Sequence, residues 1–178
     1  GGATMKRPVV AAHLALVTAL FAVPSAHADD RRCSGTIRSA SIDGNVIVPS
    51  GKTCTLIGTR VDDNVLVKAN ATLVAKGVRV GGNIQAENHD RVVVRYRKVD
   101  GRIVRSRIGG SIQLKQGGGG KLLRNTVNGD IQLFSNDGKF EVRRNRVDGN
   151  LQCKSNSPGP VGGRNVVEGN KEDQCRRL

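Results

Sequence analysis

The sequence predicts an all-β protein built as a β-solenoid of about seven coils. A seven-residue phrase, with the pattern β-branched, any, Gly, polar, aliphatic, any, aliphatic, recurs at steps of 19, 19, 28, 19, 20 and 20 residues. Within the phrase the aliphatic positions alternate, which is the period of a strand with one buried face. A unit of 19–20 residues is too short to bury that face alone, so neighbouring units must stack on one another.

Ahead of the repeats, the chain has the three parts of a secretory signal peptide. Met5 is followed by a basic pair, by a mostly apolar run over residues 11–23, and by small residues that end at Ala28. We expect cleavage after Ala28 and secretion into the extracellular space or the cell envelope. The apolar run has 13 residues, fewer than the ~20 that cross a membrane as a helix.

These observations divide the chain into three parts. Residues 1–4 precede the first methionine and are interpreted as an extension from cloning or gene-start assignment. Residues 5–28 are assigned to the signal peptide and residues 29–178 to a single β-helix domain. Removing residues 1–28 takes away two basic residues and no acid, which leaves 27 basic residues against 15 acidic ones. Such an excess of positive charge favours anionic partners.

The starts of the phrase mark the predicted strands and corners. They are Ile42, Val61, Val80, Ile108, Val127, Val147 and Val167. The last start departs from the pattern within a few residues, as a terminal cap does. The glycine in the third position predicts a tight corner at which the backbone takes a positive φ.

Amide side chains recur at fixed offsets from the phrase and predict ladders along the stack. Residues at equal offsets in successive coils lie about 4.8 Å apart, a spacing at which amides hydrogen-bond to one another as they do in cross-β structures. We assign a structural role to these residues. They are Asn125, Asn145 and Asn165, and Gln113, Gln132 and Gln152.

The repeated Gly-Asn-Ile-Gln and Asn-x-Val-x-Gly phrases, behind a signal peptide, resemble those of secreted bacterial right-handed parallel β-helix repeat proteins of uncharacterised function. The resemblance covers about residues 36–170. It implies a right-handed parallel β-helix with short turns in a bacterial protein that acts outside the cell. It does not imply one particular activity.

All four cysteines lie after the signal peptide, and exported proteins form disulfides. Cys33 and Cys54 are 21 residues apart, and Cys153 and Cys175 are 22 residues apart, each close to one coil. Cysteines one coil apart approach the ~5.5 Å Cα separation that a disulfide needs, whereas cysteines at opposite ends of a solenoid do not. We therefore predict one disulfide within each pair. A zinc site would normally show Cys-x-x-Cys pairs, so no metal or other cofactor is expected.

The 28-residue step from Val80 to Ile108 contains an insertion of about nine residues and a dense group of basic residues. Either a loop bulges from the stack there, or residues 92–94 and 103–104 form an irregular pair of strands. With Asp100 as the one acid among them, the basic residues produce a positive field that attracts polyanions. They are Arg91, Arg95, Arg97, Lys98, Arg102, Arg105 and Arg107.

One hypothesis for these basic residues is that they bind an anionic polymer of a cell wall or matrix. The competing interpretation is a solvated face that keeps an exported repeat protein soluble. A nucleic acid is a less favoured partner because the protein is exported and has few aromatic side chains to stack on bases. A second basic set, Arg143, Arg144 and Arg146, extends the patch if it faces the same way. No membrane span is predicted, and a monomer is the preferred oligomeric state.

The alternative function is that of a carbohydrate-active enzyme, either a polysaccharide lyase or a glycosidase. Such an enzyme needs clustered carboxylates, and Asp43 with Asp62, and Asp148 with Glu168, share one offset in successive phrases. Acidic residues are also common in turns. His89 is the one histidine after the signal peptide, and we expect it to be solvated in a loop. The sequence therefore favours a non-catalytic binding or structural module.

Overall fold

The computed structural model describes residues 29–178 and, ahead of them, Gly2 alone, so the predicted signal peptide lies outside the described residues. Over residues 29–178 the chain consists of short strands and turns and contains no helix. This part of the protein accordingly has no helix of the length and apolarity that crossing a membrane requires. Three parallel sheets, A, B and C, run along it, and each full coil contributes one strand to each sheet.

The strands of each sheet follow one another at the spacing of the repeat. Sheet A contains Arg31–Arg32, Val46–Val48, Val65–Val67, Ile84–Glu87, Ile112–Lys115, Ile131–Phe134, Leu151–Lys154 and Lys171–Asp173. Sheet B contains Thr36–Arg38, Thr53–Ile57, Thr72–Lys76, Arg91–Arg95, Gly120–Leu123, Phe140–Arg143 and Val161–Gly163. Sheet C contains Ser41–Ile42, Arg60–Val61, Arg79–Val80, Arg107–Ile108, Thr126–Val127, Arg146–Val147 and Val166–Val167.

The predicted β-solenoid is confirmed, with about eight turns rather than seven. Sheet A has eight strands because Arg31–Arg32 adds one ahead of the first phrase. The degenerate last phrase still forms the strand Lys171–Asp173, which pairs with Leu151–Lys154. The repeat thus continues to Asp173.

The interior of the solenoid is an aliphatic stack made by the alternating positions of the phrase. In one strand of sheet A, Ile131 and Leu133 are fully buried, while Gln132 between them points outward. Ile131 is in register with Ile112 and Leu151 of the coils on either side. Like side chains therefore stack in columns, and each fully buried Leu or Ile stabilises the fold by about 1.5–3 kcal/mol.

From Gly82 onward, the third-position glycines are required by close contact between coils, which corrects the predicted reason for them. Over residues 29–178, none of the residues with positive φ is a third-position glycine. A Cβ at Gly110 would clash with the side chain of Asn83, and a Cβ at Gly129 would clash with that of Ser111. The polar fourth-position side chain of the preceding coil occupies the space that a larger residue would need.

Buried asparagines form a hydrogen-bonded ladder at the corner between sheets B and C. Asn145 Nδ2 donates to Asn165 Oδ1 (3.0 Å) and to the Leu122 carbonyl (2.8 Å). Asn145 Oδ1 accepts from the backbone N–H and from Nδ2 of Asn125, both at 3.0 Å. Each amide therefore fixes its own corner to the next one, and every such bond contributes about 1 kcal/mol to stability.

The glutamines form a second ladder on the outer surface of sheet A. Gln113 Nε2 donates to Gln132 Oε1 (3.0 Å), and Gln132 Nε2 donates to Gln152 Oε1 (2.8 Å). Glu172 ends this ladder by accepting from Gln152 Nε2 (2.9 Å). A carboxylate suits that end because it accepts without leaving a donor unpaired.

His89 is buried, so the prediction of a solvated loop histidine is wrong. The residue is 2% exposed, and its ring meets the ring of Phe140 edge to face, with centroids 6.2 Å apart. Desolvation by burial lowers the pKa of His89, which keeps the ring neutral at pH 7. Gly117 makes room for the His89 ring, and a Cβ on Gly120 would clash with the Val92 carbonyl and with the Phe140 ring.

Both predicted disulfides are confirmed. Cys33 bonds to Cys54 and Cys153 bonds to Cys175, with Cα separations of 5.4 Å and 5.2 Å. Each disulfide joins an end coil to its neighbour, and Leu178 packs against the core at the C-terminal end. The two bonds are compatible with an extracellular location.

The insertion forms an antiparallel hairpin between sheets B and C. Arg97–Val99 pairs with Arg102–Val104. Asp100 and Gly101 form its turn, with φ of 48° and 75°, as in a type I′ turn. Residues 92–94 lie in a regular strand of sheet B that pairs on both sides. The prediction of an irregular strand pair is therefore wrong. The insertion does leave the stack, but it forms an ordered hairpin and not a loop.

Candidate functional site: a basic face on sheet C

Sheet C presents a column of arginines along the solenoid. Its strands have two residues each, and where the second residue is buried the first points to solvent. Column neighbours are register partners in adjacent coils, about 4.8 Å apart. From the second coil onward the column is Arg60, Arg79, Arg107, Thr126 and Arg146. We call its four arginines the arginine track.

A second column of arginines lies beside the track, at the corner where sheet B turns into sheet C. Arg124, Arg144 and Arg164 occupy it with φ of 53°, 58° and 57°. This left-handed conformation costs an L-residue about 1–2 kcal/mol. Two earlier coils have Gly58 and Gly77 at the same corner. The chain therefore places positive charge where the backbone favours glycine.

Two arginines at the base of the hairpin hold it against this corner. Arg97 lies over Gly58 and Gly77, where a Cβ on either glycine would clash with its side chain. Arg105 Nη1 donates to the carbonyl of Arg144 at 3.0 Å. Both arginines thus anchor the hairpin and add charge to the face.

Positive charges crowd around Arg105. Burial lowers the pKa of Arg105, and the charges of Arg146 and Arg124 lower it further. Arginine nevertheless stays protonated in proteins, so the crowding raises the free energy of this face. The Arg124 guanidinium lies over the ring of Tyr96, 5.5 Å from its centroid, in a cation–π contact. A bound anion would relieve the repulsion.

Ion pairs offset little of this charge. Over residues 29–178 three ion pairs form, of which two belong to Glu141 on sheet B. The third joins Arg60 to Asp62 on the track at 2.7 Å, with side chains 60% and 42% exposed. An exposed pair of this kind contributes at most about 1 kcal/mol. Among the described residues, the track arginines outside any ion pair are Arg79, Arg107 and Arg146.

The structure separates the seven residues of the predicted polyanion site. They lie on Sheet B (Arg91, Arg95), on the hairpin (Arg97, Lys98, Arg102), at the corner (Arg105) and on the track (Arg107). The second basic set is divided among Sheet B (Arg143), the corner (Arg144) and the track (Arg146). The corner and track members of both sets face the same way, so the patch extends over several coils there. The sheet B members lie on a different face.

The predicted carboxylate pairs are neighbours in the stack. The register of the preceding residues places Asp43 beside Asp62, and Asp148 beside Glu168. Asp62 is bound by Arg60. In the part of the chain that the structure describes, no group of three or more His, Cys, Asp or Glu side chains is placed to hold a metal ion.

Sequence reasoning missed Arg60 and Arg79 as members of the basic face. Each of them directly precedes a phrase start, Val61 or Val80, just as Arg107 precedes Ile108. The alignment of the repeats therefore already contained the column. The signal was overlooked because charge density was counted along the chain rather than by position in the repeat.

Comparison with family models, with curated proteins and with solved structures finds no match for this chain.

Proposed function

We propose that this protein is an exported, non-catalytic module that binds a linear anionic polymer along the arginine track. The observation that carries the proposal is the register alignment of Arg79, Arg107 and Arg146 with Arg60, next to the corner column. A face built this way offers three guanidinium groups at the repeat of the coil, about 4.8 Å, and a fourth, that of Arg146, one coil beyond Thr126. Guanidinium binds carboxylate, sulfate and phosphate groups in a bidentate manner.

The geometry of the track favours a polymer that lies along the solenoid. From Arg60 to Arg146 the track spans five coils, which corresponds to about 19 Å. A chain with one anionic group per sugar residue, such as a polyuronate of a wall or matrix, would pair with the arginines at four of these five coils, the exception being that of Thr126. The sequence pattern of a signal peptide, the two disulfides and the resemblance to secreted bacterial β-helix proteins support an extracellular setting.

The experiment measures binding of residues 29–178 to polygalacturonate, wall teichoic acid, peptidoglycan and DNA over a range of salt concentrations. We expect selective binding to one class of anionic polymer, with log affinity falling linearly as log salt rises, as for other polyanions. Changing Arg79, Arg107 and Arg146 together to Ser should reduce the affinity about 100-fold, because each cation near an anionic surface contributes about 1 kcal/mol.

The matched control removes the same number of charges elsewhere. Changing Arg91, Lys139 and Lys154 to Ser leaves the track intact, since these exposed residues lie away from sheet C. This variant should keep its affinity within about threefold, because charges beyond a Debye length are largely screened. Equal losses in the two variants would show that net charge alone is responsible and would reject the track.

A further inference from the structure

A groove opens between the hairpin and the centre of the arginine track. Its volume is about 430 Å³, within the range of small-ligand sites. Its lining combines four arginines, two aliphatic side chains and one glycine. These are Arg79, Arg105, Arg107, Arg124, Ile103, Val104 and Gly77. We call it the arginine groove.

The cationic wall of the arginine groove has no acidic counterpart. No Asp or Glu is found among the described residues that line the arginine groove. Arg79 and Arg107 are register partners on adjacent coils, so their side chains leave the sheet side by side. Arg105 commits one nitrogen, Nη1, to backbone carbonyls and keeps its other N–H groups for a ligand. An anion placed here meets several guanidinium donors.

Two aliphatic residues of the hairpin form part of the opposite wall. Ile103 is 43% exposed and Val104 is 37% exposed, which puts them among the few large hydrophobic residues with such exposure over residues 29–178. The type I′ turn and the Arg97–Val104 pairing hold them on a regular strand, so the exposure belongs to an ordered structure. Single exposed aliphatics are common on proteins, but here two consecutive ones line the same groove as four arginines, with their side chains on alternate faces of the hairpin.

We propose that the arginine groove binds a single alkyl or acyl chain that ends in an anionic group. The anion lies against Arg79 and Arg107, and the first carbons of the chain cover Ile103 and Val104. This inference goes beyond the polymer proposal, because a polymer without apolar substituents makes no use of the aliphatic wall. The ligand class is an anionic amphiphile in its monomeric form.

The test uses three probes that separate charge from apolar surface. Isothermal titration calorimetry on residues 29–178 measures binding of inorganic phosphate, of octyl phosphate below its micellar concentration, and of the neutral octyl glucoside. We expect octyl phosphate to bind about 10-fold more tightly than inorganic phosphate, as burial of about two methylene groups provides. Octyl glucoside should show no saturable binding. Equal affinities for the two phosphates would overturn the inference.

Variants locate the effect in the groove. Changing Ile103 and Val104 to Ser should remove the advantage of octyl phosphate, while Val99→Ser, on the same hairpin but outside the groove, should keep it. Arg107→Gln should weaken both phosphates. Retention of the full advantage in the Ile103 and Val104 variant would also overturn the inference.

The same variants keep this inference separate from the proposed function. The Ile103 and Val104 changes leave every arginine in place, so polymer binding should persist in that variant. If wild type binds the polymer but binds octyl phosphate no more tightly than inorganic phosphate, only the amphiphile site is rejected. If wild type prefers octyl phosphate but does not bind the polymer, only the proposed polymer binding is rejected.

Discussion

Replacing Asn145 with Asp will lower the free energy of unfolding by about 4 kcal/mol, although the two side chains have the same shape. The amide of Asn145 donates two hydrogen bonds, to Asn165 Oδ1 and to the Leu122 carbonyl. A carboxylate still accepts from Asn125, but its second oxygen would face two acceptors, Asn165 Oδ1 and the Leu122 carbonyl oxygen. The residue is completely buried, so the substitution also puts a charge, or a strained neutral acid, into the core.

Urea denaturation of wild type and variant, followed by circular dichroism, measures this loss. Asn128→Asp is the control, because this substitution makes the same chemical change at an exposed corner of the same coil. The control should shift stability by less than about 0.5 kcal/mol. A loss below about 1 kcal/mol for Asn145→Asp would mean that the ladder is not a main determinant of the fold.

Removing the C-terminal disulfide by changing Cys153 and Cys175 to Ala will destabilise the protein by about 3 kcal/mol, the value expected for a loop of this length in the chain-entropy model. The two residues are 22 positions apart and completely buried. In a solenoid each coil packs mainly against its neighbours, so the loss falls mainly on the end coil. Hydrogen exchange should therefore show faster opening of residues 155–178 than of the central coils.

The N-terminal disulfide provides the matched comparison. Changing Cys33 and Cys54 to Ala removes a loop of nearly the same length from the other end, and fast exchange should then appear in the first coil instead. Uniformly faster exchange along the whole chain in either variant would contradict a role in end stability. It would indicate that the solenoid unfolds as one cooperative unit.

Much of the architecture was predictable because a repeat fixes strand position and burial together. In each phrase the aliphatic pair predicted a strand, and residues such as Ile131 and Leu133 are buried as the alternation requires. The cysteine spacings predicted the disulfides because one repeat equals one coil. These inferences depend only on the period, which the sequence shows directly.

The wrong predictions concern contacts between coils. Gly110 is required by the Asn83 side chain of the preceding coil, a contact that a glycine's own neighbours in sequence do not reveal. His89 is buried against Phe140, a residue from two coils further along. The hairpin was not predicted either, because no other coil has residues at equivalent positions with which the insertion could be aligned.

The candidate site was predicted only in part for the same reason. Arg107 was chosen from a run of basic residues, whereas Arg79 and Arg146 come from other coils and join the same column through register. Arg91 belongs to the same run but points out from sheet B. Proximity along the chain is thus a poor guide to a shared face in a solenoid, and position within the repeat is a good one.

The most direct test of the account is the dependence of affinity on ligand length. Oligogalacturonates from the dimer to the octamer should bind residues 29–178 with an affinity that rises with each added residue until the ligand spans the track, about 19 Å, and then levels off. Arg107→Ser, at the centre of the track, should flatten the rise. A dimer that binds as tightly as the octamer, or neutral oligomers that bind equally well, would contradict an arrayed polymer site.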